Sequence, residues 1–222
     1  MSSSSIRRLE RRDLDQLLAL QQQVLPDTMS ARLGRRFNEV YHQTMLQSDD
    51  YICDGYFVEG ALVGYLSYTA NTMRLLRAVL RRNLVSYAYA LVVDAIREPR
   101  TLGLIFRVAR SVVLPAVEPG PTVTAELLSV GVLPPFRGSQ PGRANTRPVA
   151  DSLLNNALAT LRARGVTAVC LVSKPVHIDP IPHRFVRKNA FTSVGSVRRF
   201  GLDGEMYVLN FGEAARVGER QA

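Results

Sequence analysis

Residues 125–165 join an apolar strand, a turn rich in glycine and proline, and a long helical pattern. The strand reads Ala-Glu-Leu-Leu-Ser-Val-Gly-Val-Leu, and its nearly continuous apolar character predicts burial on both faces. The turn contains Arg137-Gly138-Ser139-Gln140-Pro141-Gly142. At such a junction, unpaired backbone N–H groups and the positive helix end point to one place. The stretch therefore predicts an anion-binding site.

The chain before this stretch predicts strands and helices in alternation. Residues 6–10 predict a strand, and two amphipathic helices are expected from Asp13 to Pro26 and from Arg32 to Gln47. Residues 51–70 change to the two-residue period of a hairpin around Glu59-Gly60. After the helix that Gly165 closes, the pattern predicts a strand over 166–172, a short helix over 184–189 and a closing hairpin over 191–211.

Residues 71–118 predict a helical insertion within a single domain that spans 1–222. One predicted helix face carries four arginines, Arg74, Arg77, Arg81 and Arg82. Four alternatives remain open for the insertion: a lid, an oligomer surface that supports a homodimer, a membrane-facing element, and a solvated face that shields the sheet edge. Its longest uncharged run, residues 83–93, is too short to cross a bilayer, so no transmembrane span is expected.

Composition excludes some classes of protein. The net charge of +9 invites a nucleic-acid interpretation, but no basic low-complexity tail or interleaving of aromatic and basic residues accompanies it. We therefore expect no nucleic-acid partner. Cys53 and Cys170 lie in apolar strands, which favours buried, reduced thiols. No apolar signal segment follows residues 2–5, and we expect a cytoplasmic protein.

The turn at 137–142 resembles the R/Q-x-x-G-x-G/A signature of the GNAT acetyltransferases, with Gln140 in place of the middle glycine. Residues 179–191 resemble a second pattern of that family, N-x-x-A-x-x-F-Y-x-x-x-G-F. This chain departs from that pattern at four places, Asp179, Pro182, Val186 and Ala190. The resemblance implies an α/β protein of the GNAT fold, with a central mixed, mostly antiparallel, twisted sheet flanked by helices. It also implies acetyl-CoA as cosubstrate.

The same resemblance implies which residues hold the cofactor. Predicted cofactor-binding residues are Val130, Val132, Arg137, Gly138, Ser139, Gln140, Gly142, Arg143 and Asp179. The N–H of Val132 is expected to bind the terminal part of acetyl-CoA, while Gly131 would tolerate a bulge in the strand. Arg143 either contacts a phosphate or decorates an exposed loop that no longer closes on a cofactor.

The resemblance supplies no general acid, because Val186 stands where the family has the tyrosine that protonates the leaving thiolate. Glu126 is either a general base or an exposed carboxylate at the strand end. His183 and Tyr68 are alternative acid or base groups, although a histidine in a loop or a tyrosine in a strand commonly serves packing alone. The spacing of His177, Asp179 and His183 lacks a fourth ligand and contains two prolines, so no metal site is expected.

The resemblance implies transfer of acetyl from acetyl-CoA to a primary amine by direct attack. The acceptor would be a small molecule or a peptide. Two alternatives remain: a GNAT-fold CoA-binding or regulatory protein with impaired catalysis, and acyl transfer to a macromolecular or membrane-associated acceptor that docks on the basic helices.

Overall fold

The computed structural model describes residues 3–26, 32, 34–97, 103, 123–138, 148–175, 178, 180–199 and 202–211. The strands in these ranges are β1 (Ser4–Arg8), β2 (Ile52–Val58), β3 (Ala61–Thr69), β4 (Ala125–Val132), β5 (Ala168–Ser173), β6 (Thr192–Arg199) and β7 (Leu202–Asn210). The helices are α1 (Leu14–Val24), α2 (Arg35–Leu46), α3 (Thr72–Arg97), α4 (Val149–Ala163) and α5 (Pro180–Lys188).

All seven strands form one sheet in the order β1-β2-β3-β4-β5-β7-β6. The β4–β5 pair is parallel, and the other neighbouring pairs are antiparallel. The predicted mixed, mostly antiparallel sheet flanked by helices is confirmed. The predicted hairpin turn is also present, with φ of 52° at Glu59 and 83° at Gly60, as a two-residue turn of the I′ type requires.

The two faces of the sheet carry separate apolar clusters. On one face, α4 buries Leu153, Leu154 and Leu161 in a cluster with Leu66 and Tyr68 of β3. On the other face, α1, α2 and α3 pack over a cluster that includes Tyr65 of β3. Successive side chains of a strand point to opposite faces, so neighbouring residues of β3 and β4 enter different environments.

Helix α3 is fixed to α2 by polar contacts. It kinks at Asn83, whose side-chain amide donates to the Thr44 hydroxyl at 3.1 Å. Near its other end, the buried Asp94 carboxylate accepts the backbone N–H of Phe37 at 2.8 Å. Gly34 precedes α2 with a φ of +111°, and a Cβ added there would lie 2.6 Å from Cβ of Asp94 and closer still to its carboxyl group. Gly34 is therefore the N-cap of α2, which begins at Arg35, three residues later than the sequence pattern indicated.

Other boundaries also moved. Helix α5 begins at Pro180, four residues earlier than predicted, and proline suits the first helical turn because its missing N–H would be unpaired there. Of the predicted insertion, residues 72–97 are helical. The remainder, apart from Asn71 and Gly103, lies outside the described residues, and the status of 71–118 as an insertion stays a prediction.

Candidate active site

The strands β4 and β5 separate along their length. They pair only where Ala125, Glu126 and Leu127 face residues 169–171 of β5. β4 continues to Val132 and β5 to Ser173, and neither continuation pairs with the other. A cleft therefore opens in the middle of the sheet, towards the carboxyl ends of both strands. Ligands of open α/β sheets commonly bind at such strand ends.

A β-bulge lies where the two strands begin to diverge. Ser67 of β3 faces Ser129, but Tyr68 faces Leu127, which leaves Leu128 as the extra residue on β4. The prediction that Gly131 accommodates the bulge is wrong, because Gly131 pairs regularly with Tyr65. Glycine is needed at 131 for close packing instead: an added Cβ would lie 2.6 Å from the Tyr65 ring and 2.7 Å from Val24.

Backbone polar groups of β4 face the cleft. The N–H of Leu133 donates to the carbonyl of Val63 on β3 at 2.9 Å. Because backbone groups alternate in direction along a strand, the N–H groups of Val130 and Val132 point away from β3. The carbonyl of Val132 accepts the Arg137 Nε–H at 2.8 Å. The cleft edge of β4 therefore offers amide donors and carries one charged side chain at its end.

Of the predicted turn, Arg137 and Gly138 are described. Gly138 has a φ of +76° and open space around its α-carbon, as expected where a loop turns sharply. The other predicted cofactor residues, Ser139, Gln140, Gly142, Arg143 and Asp179, lie outside the described residues. Helix α4 starts close to the end of β4, since a Cβ on Gly64, the partner of Val132, would lie 2.8 Å from Val149. Its positive end therefore lies near the open end of the cleft.

Glu126 is buried at the closed end of the cleft. Only 5% of its surface is exposed, and its Oε2 accepts the Thr72 hydroxyl at 2.9 Å. The interpretation of Glu126 as an exposed carboxylate at the strand end is therefore wrong. Its pairing with Thr69 on β3 puts it on the same sheet face as α1, α2 and α3.

Tyr68 lies on the opposite face. Its hydroxyl donates to Asp54 Oδ2 at 2.8 Å, and the same oxygen accepts the side-chain amide of Asn156 at 2.8 Å. Burial raises the pKa of Tyr68 above its ordinary value. The structure does not bring Tyr68 and Glu126 together, because the sheet lies between their side chains.

His183 lies beside the end of β5, within a hydrogen-bonded group. Its Nε2 is 2.8 Å from the Lys174 carbonyl, which can only accept, so Nε2 carries the proton in the neutral ring. Its Nδ1 then accepts the hydroxyl of Tyr207 and lies 3.7 Å from Glu205 Oε2. Both ring nitrogens of His183 are thus engaged within the protein.

Tyr207 and Glu205 were not predicted from the sequence. Burial is the main cause that raises the pKa of Tyr207, and the Ser193 hydroxyl, 2.8 Å from Oε1, is the main cause that lowers the pKa of Glu205. Glu205 and Tyr207 are two residues apart in the last strand, so their side chains lie on the same face of the sheet. This spacing is the sequence signal that could have identified them. Val186, at the position of the family tyrosine, is buried in the apolar cluster under α4.

Other chemistry is limited in the described ranges. Cys53 and Cys170 are reduced, buried thiols, as the sequence indicated, and burial raises the pKa of the Cys53 thiol to about 12. No group of three or more His, Cys, Asp or Glu residues within the described part of the chain is placed to hold a metal ion. Among the helices described, none combines the length and apolar character needed to cross a membrane.

No protein-family model matches this sequence, and no curated protein sequence matches it significantly. Solved structures do. The PaiA N-acetyltransferase of Thermoplasma acidophilum, in complex with coenzyme A, is 14% identical over 94% of this chain and 99% of its own, with a TM-score of 0.55. NAA60 of Arabidopsis thaliana, in complex with acetyl-CoA, is 14% identical over 95% and 99%, with a TM-score of 0.56.

The ribosomal-protein-S18-alanine N-acetyltransferase of Escherichia coli is similar in the same way, with 12% identity over 94% of each chain and a TM-score of 0.54. At such identities the similarity concerns the fold, and it extends over nearly the whole chain. Together with the strand order, the β4 bulge and the separation of β4 from β5, it confirms the expected architecture. This protein has the fold of the GNAT N-acetyltransferases.

Proposed function

We propose that the protein is an acyl-CoA-dependent N-acyltransferase that transfers the acetyl group of acetyl-CoA to a primary amine. The observation that carries the proposal is the cleft between β4 and β5, where Val130 and Val132 offer backbone groups. An extended chain of amides, such as the pantetheine arm of CoA, can hydrogen-bond to such a strand edge as an added strand would. The complexes of two structural neighbours with coenzyme A and acetyl-CoA support this cosubstrate.

In the proposed reaction, the neutral amine nitrogen attacks the thioester carbonyl carbon. A C–N bond forms, the C–S bond breaks, and the CoA thiolate leaves. The nitrogen must lose a proton, and we assign this proton to Glu126, directly or through a water molecule. Its buried position at the closed end of the cleft and its hydrogen bond from Thr72 support that role. The thiolate needs no obligatory acid, since thiols have pKa values of about 8.5.

The acceptor is proposed to be a small molecule or a peptide with a primary amine. It would approach from the face of α1, α2 and α3, because Glu126 belongs to that face. The CoA thiolate would leave in the open part of the cleft, beyond the bulge at Leu128. This division keeps the nucleophile and the leaving group apart, as direct attack on a carbonyl requires.

Glu126→Gln tests the assignment of the base. We expect turnover to fall by about 10²-fold or more, the usual lower range for general acid–base catalysis, with the Kd for acetyl-CoA unchanged. Free thiol release with a panel of primary amines gives turnover, and calorimetry gives the Kd. Glu59→Gln, an exposed carboxylate in the β2–β3 turn, is the matched control. If Glu126→Gln keeps wild-type turnover and His183→Ala loses it, the general base lies on the β5 side instead.

Arg137→Ala tests the cofactor site. The Arg137 guanidinium is held at the end of β4 by the Val132 carbonyl, and we propose that it also donates to a phosphate of CoA, a charged hydrogen bond worth about 1.5–3 kcal/mol. We expect the Kd for acetyl-CoA to rise at least about tenfold by calorimetry. Arg164→Ala, an exposed arginine at the far end of α4, is the control and should bind as wild type does. A wild-type protein that binds no CoA contradicts the whole proposal.

A second candidate function is CoA binding without transfer, in a regulatory protein. Two observations favour it: Val186 is buried where the family has a tyrosine, and both nitrogens of His183 are engaged. This alternative predicts firm CoA binding and no thiol release with any amine. The same calorimetry and thiol assay therefore separate the two candidates.

A further inference from the structure

Helix α3 presents a row of large apolar side chains to solvent. The exposed fractions are 82% for Val85, 58% for Tyr89, 58% for Val92 and 76% for Ile96. Their spacing of four, three and four residues puts them along one side of the helix. Single exposed apolar residues are common on soluble proteins, but a continuous row marks a surface that contacts something else. We call these four residues the α3 stripe.

The charged residues of α3 are almost all positive. The helix contains five arginines, at positions 74, 77, 81, 82 and 97, and a single acidic residue, Asp94. Asp94 is buried and engaged with the Phe37 N–H, so α3 exposes no carboxylate. Beside the stripe, the guanidinium of Arg36 lies 5.3 Å from the centre of the Tyr89 ring. The α3 stripe therefore adjoins positive charge and no exposed carboxylate of its own helix.

We propose that the α3 stripe docks on the surface of an anionic phospholipid bilayer. An apolar row enters the boundary between headgroups and acyl chains, while arginines pair with lipid phosphates. Valine, isoleucine and tyrosine supply apolar area there, and tyrosine keeps its hydroxyl at the headgroup level. The net charge of +9 adds attraction to a negative surface.

A second copy of the chain fits this surface less well. A two-fold contact through the stripe would bring the same arginine-bearing helix from each copy together. Four side chains also bury far less than the roughly 800 Å² per partner that a stable interface needs. The proposal does not depend on the proposed acyl transfer, because it concerns binding to a surface.

Vesicle sedimentation tests the proposal on the full chain. Wild-type protein is mixed with vesicles of phosphatidylglycerol and phosphatidylcholine, and separately with vesicles of phosphatidylcholine alone. We expect at least about tenfold stronger binding to the anionic vesicles, and weaker binding in 0.5 M than in 0.1 M salt because salt screens the charges. The combined variant Val85→Ser, Val92→Ser, Ile96→Ser should bind at least about tenfold more weakly. Val194→Ser, at a similarly exposed valine on β6, is the control and should bind as wild type does.

The melting temperature of the triple variant gives an independent readout. If the stripe makes no contact within the protein, replacing its apolar side chains by polar ones changes the stability little. We therefore expect the melting temperature to fall by no more than about 2 °C. The variant Arg36→Gln, Arg77→Gln, at two exposed arginines, should weaken anionic binding although it keeps all four apolar residues of the stripe. Three results would overturn the proposal: no vesicle binding by wild type, full binding by the triple variant, or a large fall in its melting temperature. If the melting temperature falls and sedimentation velocity gives the triple variant a lower mass than wild type, a second copy of the chain covers the stripe. If the melting temperature falls and the mass is unchanged, another part of the same chain covers it.

Discussion

Gly34→Ala should loosen the junction between α2 and α3. Gly34 has φ of +111° and ψ of 159°, a conformation essentially restricted to glycine. A side chain at this position also meets Asp94, whose own Cβ would be 2.6 Å from the new methyl carbon. The substitution therefore combines backbone strain with displacement of a buried carboxylate.

Both contributions can be estimated from the contacts. Backbone strain in this region costs about 1–3 kcal/mol. Displacement of Asp94 breaks its 2.8 Å hydrogen bond with the Phe37 N–H, and a hydrogen bond to a charged group is worth about 1.5–3 kcal/mol. We expect the free energy of unfolding to fall by about 3–5 kcal/mol. For a chain of this length, each kcal/mol lowers Tm by about 2–4 °C.

A double-mutant cycle separates the two contributions. Urea denaturation is measured for wild type, Gly34→Ala, Asp94→Gly and the double variant. Asp94→Gly removes both the carboxyl group and the Cβ at position 94, so the steric conflict disappears and Gly34→Ala should then cost only the backbone strain. Gly60→Ala is the control, since Gly60 also has positive φ but has no neighbour within 4 Å.

Two results would refute this reasoning. The first is a Gly34→Ala variant whose free energy of unfolding lies within about 0.5 kcal/mol of wild type. The second is an equal cost of Gly34→Ala with and without Asp94, because the carboxylate would then play no part. Either result would mean that α2 starts in another way than the described contacts indicate.

Two further predictions concern buried polar groups. Tyr68→Phe removes a donor from Asp54 and should lower the free energy of unfolding by about 1–2 kcal/mol while leaving turnover unchanged; lost turnover at unchanged stability would make Tyr68 catalytic. Burial lowers the pKa of His42 to about 4, from about 6.5 in the unfolded chain, so its neutral form favours folding above pH 6.5 and stability falls as pH drops towards 4. This loss is about 2 kcal/mol at pH 5, and urea denaturation at pH 7 and pH 5 should show a smaller difference for His42→Gln. An equal difference in both proteins would contradict it.

The sheet could be predicted from the sequence because its signals are local. The Glu59-Gly60 turn and the apolar run of β4 belong to single short segments, and each segment formed the element that its pattern indicated. The bulge at Leu128 could not be predicted in this way. An extra residue within a continuous apolar run leaves the composition unchanged, and only pairing with β3 reveals it.

The candidate site depends on faces and long-range contacts. An acidic residue in an apolar strand is unusual and marks Glu126 in the sequence, but its hydrogen bond joins it to Thr72, 54 residues away. Tyr207 forms its hydrogen bond with His183 on another element, 24 residues away. Neither contact has a signal in one sequence, because each arises only when strands and helices are packed.

The short parallel pairing of β4 with β5 also divides the sheet mechanically. Four strands lie on one side of this three-residue seam and three on the other, so few backbone hydrogen bonds join the two halves. The apolar cluster under α4 crosses the seam, with Leu127 on one side and Leu171 on the other. Rotation of one half against the other would thus break few hydrogen bonds but would strain a shared, close-packed core. The seam therefore resists rotation of the two halves of the sheet, and movement is confined to the ends of β4 and β5 beyond it, which do not pair with each other.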